Sequence, residues 1–310
     1  METIKVKFDQ LYHGFNTSDN FFTRQLAAKY KIEISDDPDF YFFTHPLFGS
    51  KNYLKYKCHH IFFGGENIRA DWNICDYVFD SDFYENNPRH KRWPLWAYWP
   101  LEKINKKKCF TSLHDKKKFC CMVVSNPNCK ERNDFFHKLS KYKKVDSAGR
   151  FLNNIGFPVE NKMEFIKDYK FVIAFENSSF PGYTTEKLIE PLLVNSIPIY
   201  WGNPVVGKDF NTESFINIED ASQFDAAINK IIELDNDDKK YLAMQNQPCF
   251  VNNKIPDEFS NESIQQFFDY IIQDSKIKRP VATIQIKKIK HSISIFKTRA
   301  VNKLNSFLNQ

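Results

Sequence analysis

Apolar residues fall along this chain in two rhythms that take turns. Ile4–Phe8 alternates as a half-buried strand, while Asp39–Thr44 (DFYFFT) and His60–Phe63 (HIFF) read as buried strands. Between them, Asn20–Tyr30 (NFFTRQLAAKY) has helical spacing behind an asparagine suited to cap it. Strand, helix and strand at this spacing predict a parallel sheet. Lys103–Lys118 is polar, lysine-rich and without period, and reads as a linker. The alternation then resumes. Lys118–Ser125 predicts a strand, Glu131–Tyr142 a helix, Lys144–Asp146 a short strand and Phe171–Phe175 a buried one. Thr185–Asn195 reads as a helix that Pro191 should kink. Strands at Ile197–Tyr200 and Phe215–Ile218 and a helix at Ala221–Leu234 complete the series. The expected architecture is α/β, with Rossmann-like domains over 1–105 and 106–265 facing each other across a cleft. A C-terminal helix and tail fill 266–310, and no internal sequence repeat is visible.

The tail carries a third pattern. Ile286, Ile289, Ile293, Phe296, Ala300, Leu304 and Phe307 recur every three or four residues with lysines between them, which predicts a basic amphipathic helix. Three partners suit it: the body of the protein, another copy, or an anionic membrane surface, toward which the reading leans. From Ser275 to Gln310 there are nine Lys or Arg and no acid, so the remainder holds 35 bases against 38 acids, a net of −3. The overall +6 therefore belongs to the tail, and no nucleic-acid partner is expected. No apolar stretch approaches the roughly 20 residues that span a bilayer. METIKVKFDQ lacks the apolar run of an export signal, and seven cysteines without a C-x-x-C pair suit reduced thiols. The expected location is the cytoplasm, peripheral on the inner face of the membrane.

Chemistry concentrates in Phe175–Pro204, FENSSFPGYTTEKLIEPLLVNSIPIYWGNP. A buried strand ends at Phe175, a polar loop follows, and Thr184 or Thr185 caps a helix whose first turn holds Glu186 and Lys187. Loops at the carboxyl ends of parallel strands bind ligands in α/β proteins. A helix N-terminus there suits an anion such as a diphosphate. Taken alone, the same residues also describe an ordinary exposed helix start. The tripeptides Asp37-Pro38-Asp39, Asp80-Ser81-Asp82 and Asp235-Asn236-Asp237 have metal-binding spacing, but 38 acids in 310 residues produce such spacing by chance. Cys58-His59-His60 with Cys75 is a poor tetrahedral set, so no metal site is expected. The cluster Trp93, Trp96, Tyr98 and Trp99 divides between a buried aromatic knot and a sugar-stacking surface. The sequons at Asn16, Asn177 and Asn261 mean little in a chain that is not exported.

Phe175-Glu176-Asn177, Gly182-Tyr183, Thr185-Glu186-Lys187 and Ile197-Pro198-Ile199-Tyr200-Trp201-Gly202 together resemble the signature of the α-1,3/α-1,4-fucosyltransferases, glycosyltransferase family ten. Ser125-Asn126-Pro127 with Arg132 resembles the family's diphosphate-arginine segment, and Gly65-Glu66-Asn67 its N-terminal G-E-N site. Asp71, Asn73, Asp76, Tyr77, Arg89, Arg92 and Pro94 extend the match, which covers roughly 38 to 220. The tail is similar to the basic helices that end bacterial members. The loop Ser178-Ser179-Phe180-Pro181 is less glycine-rich than in some relatives, and Pro191 is a second departure.

The resemblance implies a GT-B fold, GDP-fucose as donor and inverting transfer. Arg132 and Lys187 would bind the diphosphate. Asn177, Tyr183 and Glu186 would line the ribose and fucose, with Ser125 and Asn126 beside them. Glu66 would be the general base across the cleft, and Glu186 would add electrostatic help. Asn67, Asp71, Trp93 and Trp96 are the acceptor-side expectations. The expected acceptor is a glycan holding galactose and N-acetylglucosamine, taken at the 3-OH of the glucosamine in Lewis-type or lipopolysaccharide synthesis. α-1,4 transfer and a non-catalytic glycan or sugar-nucleotide binder are the alternatives. No cofactor is expected to be required, with stimulation by Mn2+ or Mg2+ left open.

Overall fold

The computed structural model describes residues 1–9, 11, 14–44, 52–106, 108–113 and 116–281. The first domain runs β1 (Thr3–Asp9), α1 (Phe21–Ala27), β2 (Lys31–Ile34), β3 (Phe40–Phe43), β4 (His59–Phe63), β5 (Tyr77–Asp80), β6 (His90–Arg92) and α2 (Leu101–Ile104). The second runs β7 (Lys118–Val123), α3 (Lys130–Leu139), β8 (Val145–Ala148), α4 (Lys162–Ile166), β9 (Tyr169–Phe175), α5 (Glu186–Leu193), β10 (Ile197–Trp201), β11 (Ile216–Asn217), α6 (Phe224–Asn236) and α7 (Asp238–Gln245). A long α8 (Asn261–Ile277) follows.

Every ladder is parallel. The sheets run β2-β1-β3-β4-β5-β6 and β11-β10-β9-β7-β8, so both place their first strand between the second and the third. The two halves thus repeat one doubly wound topology without repeating a sequence. This is the expected GT-B arrangement of two Rossmann-like domains.

Propensity and burial account for most elements. β3, β9 and β10 are nearly all apolar because both their faces are covered. Asn20 caps α1 through a reciprocal capping box with Thr23. β2 and β6 were not expected from the pattern. Both are edge strands: β2 is largely exposed and β6 reads His90-Lys91-Arg92, so neither carries an apolar run. The expected linker is pinned at its far end, where buried Lys116 donates to the carbonyls of Lys167 and Val194 and to Ser196 Oγ. Pro191 occupies the sixth position of α5, which ends two residues later. All seven cysteines are free thiols.

α8 begins five residues before the boundary expected at 266 and packs on the first sheet. Phe267 and Phe268 lie 5.1 and 5.5 Å from Phe79, and Tyr77 Oη donates to Asp274. The chain therefore crosses to the second domain and returns. The amphipathic segment predicted from 286 to 307 lies outside the described residues.

The domains are joined by a buried ion pair and an aromatic wedge. Arg92 of β6 donates to both carboxylate oxygens of Asp209, at 2.9 and 2.5 Å, and to Glu258 at 3.0 Å. Trp96 packs against Phe210 and Phe259, 4.8 and 4.5 Å away. Removing one partner of a buried pair strands the other charge. Arg92→Ala is expected to cost about 3–5 kcal/mol against urea. The double substitution Arg92→Met with Asp209→Leu should recover most of the loss, and an unaltered unfolding midpoint for Arg92→Ala would refute the pair's role.

Candidate active site

In both sheets the winding direction reverses between the first and third strands, and ligands of such sheets bind outside the carboxyl ends at that reversal. In the second domain the reversal lies between β7 and β9. The loops leaving those strands are bridged by Arg132, from the first turn of α3. Its Nη1 donates to Asn177 Oδ1 at 3.0 Å and its Nη2 to the Asn126 carbonyl at 2.5 Å. The side chain is fully buried with Nε unpartnered. Burial lowers its pKa, while Cys129 and Glu176 support the charged form. Exposed Ser125 adjoins this group, its Oγ accepting from the Arg150 amide at 3.5 Å. Arg132, Asn126 and Asn177 are thus brought together, while Ser125 adjoins them only as the neighbour of Asn126 in sequence.

The helix N-terminus expected to receive a diphosphate already holds an anion. Glu176, the residue after β9, is fully buried at the start of α5. Its Oε1 accepts from the Thr185 amide at 2.7 Å, and Thr185 Oγ1 lies 2.8 Å from Oε2. Lys187 Nζ stands 3.3 Å from Glu176 Oε2, 3.1 Å from Glu186 Oε1 and 3.1 Å from Thr185 Oγ1. All three ammonium protons therefore have acceptors. Burial pushes the Glu176 carboxyl above its usual range, against the pull of Lys187. Burial opposes the Lys187 charge, yet the two carboxylates raise its pKa above the ordinary value. Glu186 is also desolvated, but Lys187 and Lys162 hold it below the usual range.

Glu176 was quoted in the sequence motif and given no role, because burial is invisible in a polar loop. A signal existed in Gly202. Its φ is +152°, and a Cβ there would stand 2.5 Å from Glu176 Cγ, so only glycine leaves room. The next residue, Asn203, tethers the loop by accepting from the Gly182 amide at 2.8 Å.

Across the cleft, Glu66 lies three residues beyond β4 and is the exposed residue of a half-buried loop. Tyr183 Oη approaches its Oε2 at 3.5 Å, so the expected base and the expected donor residue do meet. Burial, and then Glu176 and Glu66, raise the Tyr183 pKa, which keeps the phenol protonated.

The acceptor-side expectations fare differently. Trp93 and Trp96 are 3% and 0% exposed, their rings enclosed by protein. Trp93 lies 5.3 Å from Phe21 and 5.7 Å from Phe259, and Trp96 forms the inter-domain wedge. Neither offers a face to a sugar, because the segment after β6 turns its indoles inward. Asn67 is engaged by Ser178 Oγ at 2.7 Å and by Arg69. Asp71 Oδ1 accepts from the Asn73 backbone and side chain, both at 2.9 Å, and serves a local turn.

The Asp-x-Asp tripeptides have structural duties. Asp39 accepts from the Lys5 amide, Asp80 faces His90 at 2.8 Å, Asp82 pairs with Arg69, and Asp235 pairs with Lys143 and Lys170. Asp237 caps α7. Among the described residues no group of three His, Cys, Asp or Glu is placed to hold a metal ion. Among them, too, no helix is long and apolar enough to cross a membrane.

Comparison with known proteins follows this division into halves. Residues 6–99 match the profile of the alpha-(1,3)-fucosyltransferase FucT N-terminal domain, and residues 113–246 match that of glycosyltransferase family 10 (fucosyltransferase) C-term. The alpha-(1,3)-fucosyltransferase FucT of Helicobacter pylori is 32% identical over 294 residues, which cover 81% of this chain and 62% of that protein. The chain thus spans less than two thirds of this relative's length. A crystal structure of an alpha1,3-fucosyltransferase superposes with a TM-score of 0.76 at 27% identity, covering 91% of this chain and 92% of the other. A structure of such an enzyme with GDP-fucose gives 0.72 at 26%, covering 87% and 91%. Taken with the geometry of the two facing loops, these likenesses establish that the chain belongs to glycosyltransferase family 10, the fucosyltransferases.

Proposed function

We propose that this chain transfers fucose from GDP-fucose to the 3-OH of N-acetylglucosamine in a β-galactosyl-N-acetylglucosamine glycan, with inversion. The observation that carries the reading is the meeting of Glu66 with the donor loop at Tyr183, 3.5 Å apart across the cleft. Inversion requires a base on the face of the sugar opposite the leaving group. Glu66 takes the proton of the acceptor hydroxyl as that oxygen bonds to the anomeric carbon. The bond from that carbon to the β-phosphate oxygen breaks, and GDP leaves with the electron pair without being protonated.

The leaving group's charge falls to Lys187 and Arg132. Lys187 reaches it by exchanging one of its acceptors, and Glu186 is the partner free to yield. Its side chain is 27% exposed, whereas that of Glu176 is 0% exposed. Glu176 stays in place, keeps Lys187 charged and anchors Thr185. Glu186, freed from Lys187, is the carboxylate that faces the ribose or the oxocarbenium-like sugar.

Three outcomes test this mechanism. Glu66→Gln should lower kcat for transfer by about 10²–10⁴-fold. Its GDP affinity by calorimetry should stay within about twofold of the parent, and full turnover would remove Glu66 from the reaction. Lys187→Ala loses a charge-assisted contact, so its GDP affinity should drop about 10–100-fold, and equal nucleotide affinity would exclude the role. Because two side-chain cations handle the diphosphate, EDTA-treated enzyme should keep most of its activity, and complete loss restored by Mn2+ would contradict the reading. Presenting GDP-fucose with 1,4- and 1,3-linked galactosyl-glucosamine disaccharides, and assigning product linkage by NMR, separates α-1,3 from α-1,4 transfer. A non-catalytic binder would release no GDP with either.

A further inference from the structure

Glu66 itself is weakly held. Its side chain is exposed and meets Tyr183 Oη, and its carbonyl accepts from the Ile68 amide at 2.8 Å in a tight turn. Its position is therefore set by whatever fixes the surrounding loop, and that fixing comes from both domains, beginning with the Gly64 amide, which donates to the Phe79 carbonyl of β5 at 2.8 Å. Asn67 Nδ2 donates to Ser178 Oγ at 2.7 Å, one residue from the base. Arg69, three residues from the base, donates to Asn67 Oδ1 and pairs with Asp82. The same guanidinium lies 3.9 Å over the ring of Phe180 in the donor loop.

The donor loop also rests directly on the first domain. Gly182 has φ +89°, and a Cβ there would stand 2.1 Å from the Ser81 carbonyl oxygen and 3.1 Å from Phe83. Three segments thus converge on one side chain: the loop bearing Glu66, the turn after β5, and the donor loop. Arg69 touches all three, through Asn67, Asp82 and Phe180.

We propose that Arg69 is a positioning residue for transfer. Resting on the reading of Glu66 as the base, the proposal is that Arg69 fastens the Glu66 loop to the donor loop, so that the base stands where the bound sugar nucleotide needs it. Its planar face stacks on Phe180 while its fork holds Asp82 and Asn67. A lysine keeps the charge but offers neither plane nor fork. A displacement of about 1 Å in a reacting group costs on the order of 10²-fold in rate, which sets the scale of the effect.

Arg69→Lys is the decisive variant, because it leaves Asp82, whose side chain is 10% exposed, with a cation nearby. Its kcat for transfer should fall about 10–100-fold. GDP affinity by calorimetry should stay within about twofold and the unfolding midpoint should be nearly unchanged, which a merely structural residue would not produce. Phe180→Ala should lower kcat less, and Arg69→Lys combined with Phe180→Ala should be no slower than Arg69→Lys alone. Full kcat in Arg69→Lys, or losses that multiply in the double variant, would overturn the proposal. Hydrogen exchange at the Ser178–Gly182 amides of the nucleotide-free protein reads the fastening without any turnover. It should quicken in Arg69→Lys, and unchanged exchange would overturn the fastening. If the parent chain transfers no fucose while exchange quickens in the variant, the catalytic reading fails and the fastening stands.

Discussion

A single carboxylate inside the protein organises the donor side of this molecule. Glu176 follows β9, fills the amide-rich start of α5 and lies against the Lys187 ammonium, with no exposure to water. An isolated buried carboxylate is costly, and this one is tolerated because a cation, an amide and a hydroxyl meet it at once. Those partners fix the helix start, the rotamer of Lys187 and the path of the chain back to β10. Gly202 completes the arrangement by leaving out the one atom that would collide with it. The motif that identifies the family is thus also the set of residues that one buried charge requires.

The site is accordingly preassembled but pre-neutralised. Lys187 already has three acceptors, and Arg132 is closed in by Asn126 and Asn177. Binding of the proposed diphosphate would mean exchanging partners rather than filling an open cationic pocket. The exchange falls on the partners nearest solvent, Glu186 and the loops that hold Asn126 and Asn177, while the enclosed Glu176 remains fixed.

Much of this was legible in the chain. Strands buried on both faces, such as β9 and β10, announce themselves as apolar runs, and the order of strands and helices implied parallel sheets. The edge strands of the first sheet did not show, because β2 is largely exposed and β6 is the polar run His90-Lys91-Arg92, each reading like any loop. Family resemblance picked out Glu66, Arg132, Asn177, Tyr183, Glu186 and Lys187, and the fold sets Glu66 beside Tyr183, Arg132 beside Asn177 and Glu186 beside Lys187. Depth was harder to read. Trp93 and Trp96 looked like sugar platforms because an indole carries no mark of which way it faces, and Glu176 drew no role because nothing in a polar loop marks a buried carboxylate. Both follow from tertiary contacts with distant segments, around 210–259 for Trp96 and at Thr185 and Gly202 for Glu176.

The return of α8 to the first sheet has a consequence for how the molecule is made. A ribosome delivers β1 to β6 early, yet the helix that covers Tyr77 and Phe79 emerges only after the whole second domain. Until then the nascent first half keeps an aromatic face open to water, a state prone to aggregation. The first half is finished only after the whole of the second has been delivered, so the cleft is assembled together with the last element of the fold rather than closed between two completed bodies.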